Sequence, residues 1–446
     1  MKRWMKTLTA LGLAASLLAA CGGPNAAPAG TAEETGGEEA AEKVKLSIWH
    51  NFAGDDLRAK TVRSYIEKFA QEHPEVELDA QAIPVDGYRQ RLSTVAAANE
   101  MPDVFLTYAG SHSAEFYKAG LLQPITPIAE AHPEWKANFF EGAFAPYEFE
   151  EGEIYSAPLA MSATSFLFYN SALFEKYGLT VPKTWDELMR VIQAFNEQGV
   201  TPIALGNKAP WVAQSTIIGS IADRVTGTDW FRKAVAQDGA SFTDPEFLEA
   251  LGYFKQLVDS NAFQEGANSI DNTQAEQYFI QGNAAMMIGG AWVVTNLAAS
   301  ATEEQLAPIE IATIPSIPGG KGEPNTITGG AGAGFALSAR TEGAARDAAL
   351  ELIYTVSGPD AQKAIAESNS LVMYNADIDE SKVNSLYNKM FQLVKTVGVT
   401  PVYDAYLSAE AAEAINNGLQ EIMVGGSPES VAEKVQAAQA RAAAAE

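Results

Sequence analysis

Cysteine is nearly absent: the 446-residue chain holds one, Cys21, together with only four histidines. A single thiol cannot form an internal disulfide, and so sparse a set offers no Cys/His zinc spacing. Basic residues are also few, 30 lysines and arginines against 56 acids, for a formal net charge of −26. Phosphate binding needs a basic footprint, so this balance argues against a nucleic-acid partner. Beyond residue 20 there is no run of about 18 apolar residues, and hence no candidate membrane-spanning helix in the body. The P-loop, G-x-S-x-G and H-E-x-x-H patterns are missing, and no segment repeats at a fixed period.

The chain starts with Lys2, Arg3 and Lys6 ahead of an apolar stretch from Leu8 to Ala20. That stretch is too short to span a bilayer as a mature helix and is built like a secretory signal, residues 1–20. It ends in Leu18-Ala19-Ala20-Cys21, which resembles the bacterial lipobox, and the resemblance implies that Cys21 carries lipid, palmitate included. The plainer alternative is an ordinary signal peptide with a cysteine at the cleavage point. Residues 22–42 hold no aromatic, branched aliphatic or basic residue, so the stretch 21–43 reads as a flexible tether. Removing residues 1–20 takes away three positive charges and no acid, which moves the net charge from −26 to −29. The roughly 400 residues that follow exceed what one core usually supports, so two lobes are expected.

Val44, Leu46 and Ile48 alternate with polar residues as a strand does, and Val62, Tyr65, Ile66 and Phe69 recur at helical spacing before His73-Pro74. Val76 to Ala80 alternates again, Tyr88, Leu92 and Val95 mark a second helix, and "PDVFLTY" is a continuous apolar run like that of a strand buried on both faces. Such strand-helix-strand units predict an α/β fold with mixed, mostly parallel sheets. Residues 151–170 read as two extended segments. Thr184 with Glu187 forms a capping box for a helix that buries Leu188, Val191, Ile192 and Phe195. Asp244 and Pro245 open another helix. "GNAAMMIGGAWVV" reads as a strand running into a helix start at Trp292, "IEIATIPSIPGG" and "GAGAGFALS" as two more strands, and the pattern from 341 onward is helical.

Taken in order, "LSIWHNF", "PDVFLTY", "AGLLQPI", "YSAPLAMSATSFLFYNSALFEKYGLTVPKTWDEL", "FIQGNAAMMIGGAW" and "TGGAGAGFALS" resemble the family 1 extracellular solute-binding proteins of bacterial ABC sugar importers. The resemblance spreads over residues 44–340. It implies two α/β lobes of the periplasmic-binding-protein kind with a ligand cleft between them. The first lobe is expected at 44–157 with 318–368 returning to it, and the second at 158–317 with 369–446 returning. The chain would cross between them near 157–162, 311–318 and 367–371. The implied protein is a monomer, not an enzyme and without a cofactor or metal. It is held outside the cytoplasm by its lipid and passes a carbohydrate to membrane permease subunits.

A pyranose packs its C–H face on an aromatic ring, and its hydroxyls need partners once buried. In parallel sheets ligands gather beyond the carboxyl ends of the strands. The candidates by family position are Trp49, His50 and Asn51, Thr107 and Tyr108, Trp211, Trp292, Gly329 and Gly330, with Tyr403 and Asp404 on a looser match. Trp49 has a plain alternative as a core residue. Trp185 inside a helix start is read as core packing, and Asp103 at a strand start as structural. "GGAGAG" precedes a strand rather than opening a helix, so a dinucleotide loop is ruled out on context; a backbone approaching a ligand or the other lobe explains it better. Runner-up readings are a binder of another solute such as a glycerol phosphate, a lipid-anchored glycosidase using two opposed carboxylates, and a purely structural surface lipoprotein.

Overall fold

The stretches that alternate or run apolar in the sequence form thirteen strands among the residues described by the computed structural model, 43–445. The signal segment, Cys21 and the tether up to residue 42 lie outside them. The strands are β1 (Val44–His50), β2 (Val76–Ala82), β3 (Val104–Tyr108), β4 (Leu122–Gln123), β5 (Ser156–Pro158), β6 (Met161–Thr164), β7 (Phe166–Asn170), β8 (Thr201–Ala204), β9 (Ala284–Gly289), β10 (Ile309–Thr313), β11 (Thr326–Ala331), β12 (Ala333–Ser338) and β13 (Gly398–Pro401). They make three sheets: β2-β1-β3-β12-β4 with β5 also on β12, β10-β7-β9-β8, and β13-β11-β6.

The parallel core β2-β1-β3 follows from the strand-helix-strand order. Its first crossover is the helix α1 (Leu57–Glu72), capped by Asp56, whose carboxylate accepts from Ala59 N at 2.9 Å. Val62, Ile66 and Phe69 face inward, and the helix stops at His73. A second helix, α2 (Val85–Ala97), buries Tyr88 and Leu92. Asp103 is structural as expected: it accepts from the Ser47 N–H and hydroxyl and from Thr341 Oγ1, fastening the start of β3 to the middle of β1 and to the turn after β12. The four-stranded sheet is covered on both faces, with Leu167 in one core and its neighbours Phe166 and Phe168 in another, as the pleat requires. The helix Trp185–Glu197 has the predicted capping box, and Trp185 is core, its indole N–H donating to Gln256.

Three local expectations change. Residues 151–170 give three strands rather than two, because Ser165 takes a left-handed φ of +66° and separates β6 from β7. "GAGAGFALS" is likewise cut into β11 and β12. Asp244 precedes its helix but does not cap it; its carboxylate takes the Trp230 indole N–H and the Ser241 N–H instead.

Where the chain passes between the cores, two stretches run antiparallel side by side. Ser156–Thr164 pairs with Thr328–Ala336 through β5–β12 and β6–β11, joined by Leu159 N to Ala333 O and Gly332 N to Ala160 O. Ala157, Leu159 and Phe335 pack in the first core, Ala163 and Ile327 in a core of the second lobe. The second of these stretches thus links the two cores at about 328–335. Ile314 and Ile317 stay in the second lobe, and the buried Arg224 guanidinium holds the carbonyls of Ile314 and Thr326 at 2.7 and 3.0 Å. Further on, Ile365 packs in the first core and Leu371 in the second lobe.

Trp135 tests how closely the returning segment is tied to the first lobe. It is fully buried, and its indole donates to the Ser357 carbonyl across 222 positions at 2.8 Å. Trp135→Ala is expected to cost about 3–5 kcal/mol, read as a lowered urea midpoint; an unchanged midpoint would contradict this packing.

Candidate ligand-binding cleft

The carboxyl ends of β1 and β3 open on one edge because the two strands are parallel, with Trp49 opposite Phe105. At that edge Asn51 Nδ2 donates to Tyr108 Oη at 2.7 Å. The Arg89 guanidinium, from α2, lies 4.1 Å from the Tyr108 ring centroid, and Arg91 lies 4.6 Å from that of Trp49. Asn51 and Tyr108 are both part-exposed. Trp49 is also part-exposed, but one ring face is already covered by Arg91.

Three predicted site residues turn inward. His50 shares the pleat parity of Leu46 and Ile48 and is buried; its Nδ1 takes the Phe52 N–H, and burial, helped by Arg63, pushes it down to about 4. Thr107 is fully buried, with its hydroxyl 3.1 Å from Ser113 Oγ. Tyr403 stacks on Phe231 with centroids 3.8 Å apart, inside the second lobe's core. All three side chains are buried among the described residues.

On the other wall Trp211 and Trp292 meet edge to face, centroids 5.5 Å apart and planes at 68°. Gly290 permits this, since a β-carbon there would overlap the Trp292 ring. Trp211 opens a short helical turn that continues as a π-helical stretch, Gln214–Ile218, a geometry frequent at functional sites. Gln214 is fully buried, and neither its Oε1 nor its Nε2 has a hydrogen-bond partner; Trp292 Nε1 is buried and unpartnered as well.

One turn on from Trp292, Asn296 donates to the Glu276 carboxyl at 2.9 and 3.1 Å, and Asn272 donates to it at 2.6 Å. Glu276 is fully buried. Burial pushes its carboxyl up to about 8, with Asp271 and Asp56 adding to the rise and the two carboxamides opposing it. Gly329 and Gly330 lie in β11 opposite Ala163 and Ser162. A β-carbon on Gly329 would fall 2.8 Å from the Ser162 carbonyl oxygen, so strand contact alone accounts for that glycine.

The walls touch. α1 packs on the helix Trp292–Ser300, and Ser111 Oγ donates to the Asp404 carbonyl at 3.0 Å. The Asp404 side chain lies 3.6 Å from Arg89, which makes it a lobe-to-lobe contact; the solvated guanidinium limits the pair to at most about 1 kcal/mol. At the start of α1, Arg58 lies 5.6 Å from the Phe52 ring centroid; it makes no ion pair, and its Nε is closed off from solvent without a partner. The sequence reading passed over Arg58, Gln214, Glu276 and Asn296. Helical spacing offered the only signal: Gln214 follows Trp211 by three, and Asn296 follows Trp292 by four. Among the described residues no group of three or more His, Cys, Asp or Glu is placed to hold a metal.

The family pattern described as bacterial extracellular solute-binding protein matches residues 54–363. An uncharacterized ABC transporter extracellular-binding protein of Pyrococcus horikoshii is 28% identical over 254 residues, so the chain matches 56% of that relative's length and 56% of its own. The multiple sugar-binding protein of Streptococcus mutans is 25% identical over 349 residues, 76% of each chain. Among solved structures, a chitin oligosaccharide binding protein superimposes with a TM-score of 0.82 at 25% identity, covering 90% of this chain and 99% of its own.

Glu276 gives a signed pH test. A carboxyl raised from 4.5 to about 8 in the folded protein contributes stability that is complete below about pH 4.5 and is lost as pH rises toward 8. Glu276→Gln should therefore gain stability relative to the parent between pH 5 and 8 in thermal melts, the difference levelling off above 8. Parallel pH curves would mean that Glu276 is not buried in this way.

Proposed function

The chain belongs to the bacterial extracellular solute-binding protein family, and from that premise we propose that it captures a carbohydrate, an oligosaccharide by preference, between its lobes. It then delivers the sugar to the permease subunits of an ABC importer. The observation that carries this is the edge-to-face Trp211–Trp292 pair, with Tyr108 and Asn51 hydrogen-bonded to each other at the ends of β3 and β1. Aromatic faces beside amides and a neutral carboxyl suit pyranose rings. The relatives named for multiple sugars and for chitin oligosaccharide favour the same class.

On this reading Trp211, Trp292, Tyr108 and Asn51 touch sugar, Trp49 offers its uncovered face, and Gly329 and Gly330 line the cleft floor. Asp404 and Arg89 meet as the lobes close, and ligand favours closure by its greater affinity for the closed form. The first lobe comprises 44–157 with about 333–368, the second the rest of the body. The protein works as a monomer tethered outside the cytoplasm through lipid on Cys21, and it returns its ligand chemically unchanged. Arg58, whose guanidinium makes no ion pair although Asp56 lies near enough to act on it, favours an anionic solute such as a glycerol phosphate.

Thermal unfolding of residues 43–446 against chitin oligosaccharides, maltotriose, xylo-oligosaccharides and glycerol phosphate separates these readings. A ligand at 100 times its dissociation constant adds about 2.7 kcal/mol of stability, and a shift with one sugar class is expected; a shift with glycerol phosphate alone would replace the sugar reading. Trp211→Ala and Trp292→Ala should each lose about 1–3 kcal/mol of binding, measured by titration calorimetry. Unchanged affinity in both would remove the tryptophan pair from the site.

A further inference from the structure

Four buried polar atoms around the cleft have no hydrogen-bond partner: Arg58 Nε, Gln214 Oε1 and Nε2, and Trp292 Nε1. Buried donors and acceptors are nearly always satisfied, because an unpaired one has given up water for nothing. Other such atoms, among them Ser156 Oγ, Asp223 Oδ2, Tyr403 Oη and Asn416 Oδ1, are spread through the described residues, so one alone signifies little; the four named above stand apart. These are linked: Gln214 lies one turn from Trp211, Trp211 touches Trp292, and Trp292 opens the helix on which α1, the helix carrying Arg58, is packed. The nearby hydroxyl of Thr164, by contrast, is satisfied, donating to the Ser215 carbonyl at 2.7 Å and meeting Thr328 Oγ1.

We infer that Arg58 from the first lobe and Gln214 with the Trp292 indole N–H from the second are ligand-binding groups held open for adjacent hydroxyls of a neutral sugar ring. The inference rests on the carbohydrate reading above and deepens it. A carboxamide both donates and accepts, as a hydroxyl does, so Gln214 matches a hydroxyl in either sense. A phosphate at neutral pH is chiefly an acceptor and would leave Gln214 Oε1 facing an anion with no proton to share. The set therefore selects uncharged polyols, and Gln214 determines which hydroxyl pattern enters.

The test pairs two readouts on Gln214→Met, which keeps the length of the side chain and removes both polar atoms. The free variant should melt at or above the parent temperature, since no internal bond is lost, while its affinity for the best sugar of the panel should fall at least tenfold. Arg58→Met should behave alike. Thr164→Val, which removes a satisfied hydroxyl, should instead lower the melting temperature of the free protein. A lower melting temperature for free Gln214→Met, or an unchanged affinity, would overturn the inference. If the parent binds no sugar at all, the carbohydrate reading fails by itself. The melting comparison of the free proteins then still decides, a drop counting against poised groups and its absence for them.

Discussion

Two pieces of backbone, Ser156–Thr164 and Thr328–Ala336, lie so close that glycine stands at points on the second where a β-carbon would collide with the first. A β-carbon on Gly332 would come within 2.8 Å of the Ala160 carbonyl oxygen, and one on Gly334 within 2.6 Å of the Ala157 carbonyl oxygen. Such approach is open only to glycine. Each stretch carries hydrophobic residues of the first core at one end and of the second lobe at the other. That shared ladder is where the chain passes from one core to the other. The glycine-rich run that superficially suggests a phosphate loop is thus one half of a closely paired backbone ladder.

The two lobes divide the labour unequally at the candidate cleft. The first lobe offers strand ends, where Asn51, Tyr108 and Arg89 support one another by a hydrogen bond and a cation over a ring. The second offers helix starts and a π-helical stretch, which put indoles and amides at a surface without sheet pairing to satisfy them. Buried amides beside a carboxyl that is neutral at physiological pH make a polar surface with little field of its own. In a body of strongly negative net charge, that local neutrality separates the site from the rest of the surface.

Much of this was legible from the chain. The parallel core, the capping box at Thr184 and the strand-to-helix step at Trp292 each have a local physical cause, and local causes leave patterns. His50 was legible too, had the pleat been followed one step further, since it stands two positions beyond Ile48 and so shares its face. Thr107 was not: in a strand buried on both faces, parity carries no information. Ser165 conceals its left-handed turn because serine carries no glycine signal, and the turn is held by a hydrogen bond to Thr328, far off in sequence. Tyr403 depends on Phe231, a partner that periodicity cannot name. Gln214 was overlooked because an unpaired carboxamide is a property of its surroundings, not of its neighbours in the chain.

β12 has a consequence for how the molecule comes into being. It sits inside the first sheet, between β3 and β4, yet more than 200 residues separate it from either. Until it arrives, β3 has an open edge and the first core lacks Phe335, Ala336 and Leu337. A chain emerging N-terminus first cannot finish its first sheet until residues 158–332 have also been made, and the long loop closed by this pairing slows the step. The pairing that joins the two cores in the finished protein therefore acts during synthesis as a delay, leaving the first core incomplete for longer than it would be in two consecutive domains.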